Sequence, residues 1–559
     1  MKIAKILAPA LGCAIAAAAF AAAPARQDPE SALQRAMRTS NTIYTSLAQH
    51  YVDSLDIDSV MRMGMGYMLA SLDPYTEYYT QEEADRFRSS SNGEYGGIGI
   101  RIATYDGQAY FTDPMEGKPA FRAGLRSGDK IVKVDSTSTR GKNADFATRL
   151  IKGQAGSPVT ITVVRPYVQD SVLTFTMERE KLVIPAVPYY AVLPGGIGYI
   201  ELNTFSPDDT GEQVRRALES FKRDKELKGI ILDLADNGGG LLSQAIDIAS
   251  MFLPKGTKIL ETRGRDAGET RVLKTTKEPI FPDMPLAVIL DRGSASASEV
   301  LSGALQDHDR AVLVGERSFG KGLVQSTLPM PFDGMLKVTT AKYYIPSGRL
   351  IQAADYSHRD ADGRPGYTPD SLAKTFRTDA GRPVKDGGGL QPEVSVSDTL
   401  AHSDLVYNLV SKPYMFDFAN RYSARVKGPF AMTDAVWEEF VTSLPDTALN
   451  YESRMEKGLQ ELRNAAAREG LMNDETRARF DALGKALKRD SRTELTEART
   501  ELERFLVPML AERYGFEQAR YAAEVERDPS VRAAVRILLD PTEYHRLLSA
   551  PAMPGKKKK

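Results

Sequence analysis

Leu286-Ala287-Val288-Ile289-Leu290-Asp291-Arg292-Gly293-Ser294-Ala295-Ser296-Ala297-Ser298-Glu299-Val300 is the stretch on which the reading of this chain turns. Its five leading apolar residues read as a buried strand, because no polar alternation interrupts them. The small residues that follow read as a turn. Val300, Ala304 and Leu305 then recur at helical spacing. Ser296, with Glu299 three places on, forms a capping-box pattern at the helix start. A serine in that first turn lies where unsatisfied N–H groups and the helix dipole favour negative charge, which suits an attacking alkoxide or an oxyanion. Serines that merely cap a helix give the same pattern, and this stretch alone does not choose.

Outward from it, residues 182–396 alternate apolar strands with helical stretches, as in Ile197-Gly198-Tyr199-Ile200-Glu201-Leu202 and the strand 229–234 before a helix near 241–252. That alternation predicts an α/β core whose sheet is covered by helices. Residues 93–165 change to short strands around a helical stretch at 144–151, the pattern of a small, partly open β domain. Upstream, Ile43, Leu47, Tyr51 and Leu55, then Met61, Met65, Met68 and Leu72, fall at helical spacing and predict packing helices. Beyond residue 399 the chain is helical and rich in Arg, Glu and Ala, which reads as a solvated appendage or a partner site.

The 559 residues carry a net charge of −1, which argues against a nucleic-acid binder working through an overall basic field and leaves only a local basic patch open. One cysteine, Cys13, excludes an internal disulfide framework, and five scattered histidines without H-E-x-x-H argue against metal catalysis. No cofactor is expected. Residues 1–25 open with Lys2 and Lys5, run through alanine-rich apolar sequence and end in small residues. They read as a secretory signal cleaved after Ala21, Ala23 or Ala25, so an exported, periplasmic protein is expected. A retained membrane anchor is the alternative. The closing Lys556-Lys557-Lys558-Lys559 run reads as a solvated tail.

The run G-S-A-S-A-S-E at 293–299, with Leu305-Gln306-Asp307 and Gly315-Glu316-Arg317-Ser318-Phe319-Gly320-Lys321-Gly322-Leu323-Val324-Gln325, resembles the active-site stretch of the carboxy-terminal processing, or tail-specific, proteases. The resemblance spans residues 42–392 and includes Leu72-Asp73-Pro74-Tyr75 upstream. It implies a Ser/Lys endopeptidase with an inserted PDZ domain. Carried over residue by residue, it makes Ser296 the nucleophile, Lys321 the general base and Gln325 the support of the lysine. In a strand, positions four apart share a face, which would make Lys321 and Gln325 neighbours. A lysine with its ordinary value near ~10.4 is charged at neutral pH and accepts no proton, so the mechanism requires a water-poor pocket. Oxyanion donors are expected from the backbone N–H of Ser296 and from Gly238 and Gly239 in Asp236-Asn237-Gly238-Gly239-Gly240, whose glycines allow close approach. The family usually has arginine and asparagine where Ala235 and Asp236 stand, and often proline at Gly238.

Tyr95-Gly96-Gly97-Ile98-Gly99-Ile100 resembles the carboxylate-binding loop of PDZ domains, and Gly124-Leu125-Arg126-Ser127-Gly128-Asp129 their next signature. Gly97, Ile98, Gly99 and Ile100 would hold a chain terminus, with Ile98, Ile100 and Leu150 lining the pocket for its last side chain. Lys152 stands where relatives carry an arginine that connects this site to the protease centre.

The expected architecture is therefore a multidomain α/β protein: signal peptide at 1–25, helical N-terminal segment at 29–92, PDZ domain at 93–180, α/β protease core at 181–398 and helical C-terminal appendage at 399–559. The expected partners are proteins or peptides with free, apolar C-termini. Nucleic acid is not expected, a membrane only through the retained anchor, and self-association is left open. An inactive PDZ scaffold and a Ser-His-Asp hydrolase using His308 are the competing functions.

Overall fold

The computed structural model describes residues 29–91, 94–169, 171–397 and 403–550, so the expected signal peptide and lysine tail lie outside the described residues. The chain divides into two units, residues 1–78 and 79–559. In the first, helices Pro29–His50 and Ile57–Ala70 form where the apolar spacing placed them. Asp56 caps the second by accepting from the N–H groups of Asp58 and Ser59. That helix buries none of its residues, so its methionine stripe finds no core within the unit.

The second unit begins with the β domain. Five antiparallel strands run in the order Ile100–Tyr105, Gln108–Pro114, Lys130–Val134, Pro158–Val164 and Val172–Glu178. Val159, Ile161 and Val163 alternate inward with Phe111 and Ile131, the period of two that a half-covered sheet demands. Helix Ala144–Ile151 closes the core, its start capped by Asn143. A separate pair, Glu94–Gly97 with Glu180–Val183, ties the domain's entry to its exit.

The protease core is a six-stranded sheet in the order Tyr189–Leu193, Ile197–Glu201, Gly229–Asp233, Leu286–Leu290, Val312–Gly315 and Val394–Ser395, parallel after its first strand. Its strands are apolar throughout because both faces are covered. Ile230, Leu232, Leu286, Val288 and Leu290 pack beneath helices Thr210–Phe221, Leu242–Ala249 and Ala297–Asp307. The intervening Ile231, Ala287 and Ile289 face Val531, Ala534, Ile537, Leu538 and Tyr544 on helices Pro529–Leu538 and Pro541–Leu547. The Tyr544 hydroxyl accepts the Leu286 N–H at 2.9 Å.

The C-terminal region is thus more than an appendage: its last helices are one layer of the protease core. Only Arg454–Arg468 and Asp474–Leu487, which bury no residue, match the solvated reading. The helix between these parts, Arg499–Arg527, breaks at Gly515 and Phe516 and reaches two domains. Tyr521 stacks on Tyr189 of the core, 5.7 Å between centroids, and Arg520 pairs with Asp113 of the β domain at 2.9 Å.

Candidate active site

The strand Leu286–Leu290 ends on Asp291, whose Oδ1 accepts the N–H groups of Gly293, Ser294 and, across from the neighbouring strand's loop, Asp236. This carboxylate folds the turn back on itself. The three serines then separate. Ser294 donates its hydroxyl to Leu234 O and Ser298 donates to Asn237 O, both at 2.7 Å, and both residues are fully buried. They staple the turn to the Asp236-Asn237-Gly238-Gly239-Gly240 loop. Ser296 lies between them, half-buried, and among the described residues its hydroxyl is donated to no carbonyl. It holds φ 56°, ψ −113°, a conformation costly for a residue with a Cβ and sustained by the staples on either side.

The glycine loop approaches as closely as its composition permits. A Cβ on Gly239, at φ +99°, would lie 2.9 Å from Ser296 Cβ and 2.7 Å from Ala295 O. Asn237, fully buried, donates Nδ2 to Leu202 O at 2.6 Å and accepts the Gly239 N–H at 2.9 Å. The three expected oxyanion donors differ in their partners. The Gly239 N–H is held by Asn237, and the Ser296 N–H is held by Glu299 Oε2 at 2.9 Å. Only the Gly238 N–H has no acceptor among the described residues, and a Cβ at Gly238 would meet nothing within 4 Å.

Lys321 stands in a loop between glycines that packing demands. A Cβ on Gly320 would come 2.6 Å from Ala353 Cβ, and one on Gly322 would come 3.0 Å from Gln352 N. The strand begins only at Leu323, and a bulge falls between Val324 and Gln325. The alternation argument that paired Lys321 with Gln325 therefore does not hold, because neither an unbroken strand nor a constant parity links them. Gln325 donates to Thr339 Oγ1 at 3.1 Å.

What joins the nucleophile turn to the lysine loop is a residue that entered the sequence reading only as a helix cap. Glu299 is fully buried. Its Oε2 accepts the N–H groups of both Ser296 and Lys321 at 2.9 Å, and its Oε1 accepts the Gly320 N–H at 2.7 Å and the Ser318 hydroxyl at 2.5 Å. Burial pushes its carboxyl up to about 7, against the pull of those four donors. On the other side, the hydroxyl of buried Tyr343 lies 3.3 Å from Ser296 O and also donates to Lys321 O. Tyr343 carried no sequence signal, since its contacts come from a strand far along the chain.

His308 is excluded from this centre by position. It caps the far end of helix Ala297–Asp307, and an 11-residue helix spans about 16 Å. Its two ring nitrogens lie 2.7 Å from Asp379 Oδ2 and Lys258 O.

In the β domain, Gly97 ends the entry strand and Gly99 takes φ +72°, where a Cβ would strike Lys118 Cβ at 2.4 Å. The Ile98 and Gly99 carbonyls accept from Ala120 and Met115, while their N–H groups have no acceptor among the described residues. Ile98 itself is buried in the domain core, so it does not line an open pocket as expected. Ile100 and Leu150 are partly exposed and pack against that core. Lys152 follows the helix as an exposed residue. The domain also meets the helix Arg499–Arg527, through Asp113, whose N–H donates to Glu512 Oε1 at 3.0 Å, and through Phe121 against Phe516 at 4.9 Å between centroids.

Comparison with known proteins agrees with this domain order. Residues 96–178 match the profile of the PDZ domain, 196–362 that of peptidase family S41, and 405–538 that described as "Probable PDZ-protease, C-terminal helical domain". The chain is 36% identical over 335 residues to a carboxy-terminal-processing protease of Bartonella bacilliformis, covering 59% of this chain and 74% of that protein. It is 35% identical over 313 residues to a "Probable CtpA-like serine protease" of Staphylococcus aureus, covering 55% of this chain and 61% of that one. Among solved structures, the photosystem II D1 C-terminal processing protease aligns at 27% identity and TM-score 0.35, over 65% of this chain and 87% of that one. Identity of that extent to the Bartonella protein, together with the family match across residues 196–362 that hold the stapled serine turn and the lysine loop, makes this chain a member of peptidase family S41, the carboxy-terminal-processing serine proteases that carry a PDZ domain.

Proposed function

We propose that the chain is an exported, periplasmic serine endopeptidase in which Ser296 attacks the scissile carbonyl, Lys321 is the general base, and the PDZ domain first engages the free C-terminus of the protein to be cut. The observation that carries the reading is the double tie between the two residues: their N–H groups share Glu299 Oε2, and their carbonyls share the Tyr343 hydroxyl.

Neutral Lys321 takes the hydroxyl proton as Ser296 Oγ bonds to the carbonyl carbon. The tetrahedral adduct expels the amine, which receives that proton, and leaves an acyl-enzyme. Water then attacks the ester through the same base, and the released acid and free Ser296 complete the cycle. The Gly238 N–H and the N-terminus of helix Ala297–Asp307 supply positive potential where the oxyanion develops. Gln325, with its amide anchored on Thr339, supports the lysine. In the PDZ domain, the N–H groups of Ile98 and Gly99 receive the terminal carboxylate, and Ile100 and Leu150 receive an apolar last side chain.

Cleavage of a protein ending in apolar residues tests the reading. Ser296→Ala, Lys321→Ala and Lys321→Arg should each be inactive, the last because guanidinium does not deprotonate in a protein. The double alanine variant should be no worse than either single one, since the two act as a unit. Amidating the substrate's C-terminus should slow the wild type. Full activity in a single variant rejects the pair, equal rates on free and amidated tails reject recognition through the PDZ domain, and tail binding without any cleavage by the wild type favours a scaffold.

A further inference from the structure

We propose that Glu299 is the positioning residue of the catalytic pair, holding the nucleophile turn and the base loop in register through four hydrogen bonds to one carboxylate. The proposal rests on the reading of Ser296 and Lys321 as nucleophile and base. An ordinary capping box needs only the bond from Glu299 to the N-cap N–H. Here three further donors, Ser318, Gly320 and Lys321, come from a loop 19 to 22 residues downstream. An ionised carboxylate offers about four lone-pair sites, and each meets a donor. A neutral carboxyl or an amide would point a proton at one of those donors instead and release either the turn or the loop. Ser296 Oγ and Lys321 would then lose their alignment while the buried helix stayed in place.

The charged or titratable side chains on the turn, helix and loop that meet Glu299 are Asp291 and Arg292 in the nucleophile turn, Asp307 at the far end of its own helix, and Glu316, Arg317 and Lys321 in the base loop, with Tyr343 reaching in from the strand Met335–Tyr344. Asp307 is paired with Arg349, Arg317 with Asp370 and Arg292 with Glu316, each at 2.8 Å, and the Glu299 carboxyl is raised by its burial and lowered by its four hydrogen-bond donors.

The test is the pH profile of kcat for the full chain and its Glu299→Gln variant on a fluorogenic peptide, read with KM and the melting midpoint. In the wild type two groups must lose a proton for activity, Glu299 and Lys321, so log kcat should rise with a limiting slope of 2 at acid pH. The variant should rise with a slope of 1, with kcat about 10- to 100-fold lower, as expected for a misaligned pair, and KM within about twofold. Ser318→Ala, which removes one donor and keeps the carboxylate, is measured alongside. It should move the Glu299 limb to higher pH and serves as the deciding variant if Glu299→Gln fails to fold. A wild-type rate in Glu299→Gln, or a lower rate with an unchanged profile and an unmoved limb in Ser318→Ala, overturns the proposal and leaves a packing role. If Ser296→Ala and Lys321→Ala are inactive in the same assays, only the positioning role has failed; if either is active, the underlying pair has.

Discussion

At the scale of single residues, the site is built by atoms that are missing as much as by those present. Gly239 sits at φ +99°, with the position of its absent Cβ 2.9 Å from Ser296 Cβ. Neither chain segment can yield, because Ser294 and Ser298 staple the serine turn to this loop. Gly239→Ala should therefore lower kcat by about 100-fold or more, the cost of a displacement near 1 Å at the reacting atoms, with a modest fall in melting midpoint. A variant with wild-type kcat would show that the loop relaxes without moving Ser296. Two buried carboxyls set a second residue-scale expectation. Burial pushes Glu299 and Asp233 up to about 7, from ordinary values of 4.5 and 3.8. Because each folded-state value is raised, the folded chain keeps protons that the unfolded chain releases, and stability falls as pH rises from about 4 to about 7. Asp233→Asn, which preserves the shape beside Tyr199, should flatten that decline in thermal melts taken across the range. A decline as steep as the wild type's would remove Asp233 as its source.

At the scale of elements, the helix Pro529–Leu538 shows how far a pattern carries and where it stops. Val531, Ala534, Ile537 and Leu538 stand at helical spacing and announce an apolar face. Nothing local says that the face covers the protease sheet, because its partners Ile231, Ala287 and Ile289 lie more than two hundred residues earlier. Ile537→Ala should cost about 2–5 kcal/mol, the range for truncating a fully buried aliphatic side chain, and the loss should appear in the melting of the whole core. A separate early transition for the C-terminal helices, with the protease midpoint unchanged, would contradict their place as a core layer. The same limit explains why strand parity does not carry the pairing of Lys321 with Gln325. Strand parity is a local rule, and the bulge between Val324 and Gln325 is set by pairing with the strand Met335–Tyr344, which the residues 321–325 do not encode. Ile98 likewise reads as a pocket residue from its loop, yet it turns into a core built by strands further on. The strand, turn and helix around Ser296 were legible because each depends on neighbours within a few positions. Glu299 was half legible, since one of its four bonds is local and three are not.

At the scale of the whole second unit, the helix Arg499–Arg527 joins what the sequence presents as three separate regions. Tyr521 meets the protease core at Tyr189, while Arg520, Glu512 and Phe516 meet the PDZ domain at Asp113 and Phe121. Burial, opposed by Arg513, raises the Glu512 carboxyl, so the contact is held in a water-poor setting. Asp113 is itself nearly buried, at 8% exposure, and its side chain takes its closest charge from Arg520. Arg520→Ala would leave that carboxylate without its main partner. If the domain stayed docked, a stranded buried charge would cost about 3–5 kcal/mol. The PDZ domain can escape part of that cost by separating from the helix and letting water reach Asp113. Amide hydrogen exchange reads the difference, because the Asp113 N–H is shared between Glu512 Oε1 across the contact and Ser127 Oγ within the domain, each at 3.0 Å, and undocking removes the first. Exchange through Gln108–Pro114 should accelerate about tenfold or more in the variant, while the buried strand Leu286–Leu290 keeps its protection. Unchanged exchange at Asp113 would show that the aromatic contact of Phe121 with Phe516 holds the domain by itself. Acceleration in both segments would show that undocking and core unfolding are one event.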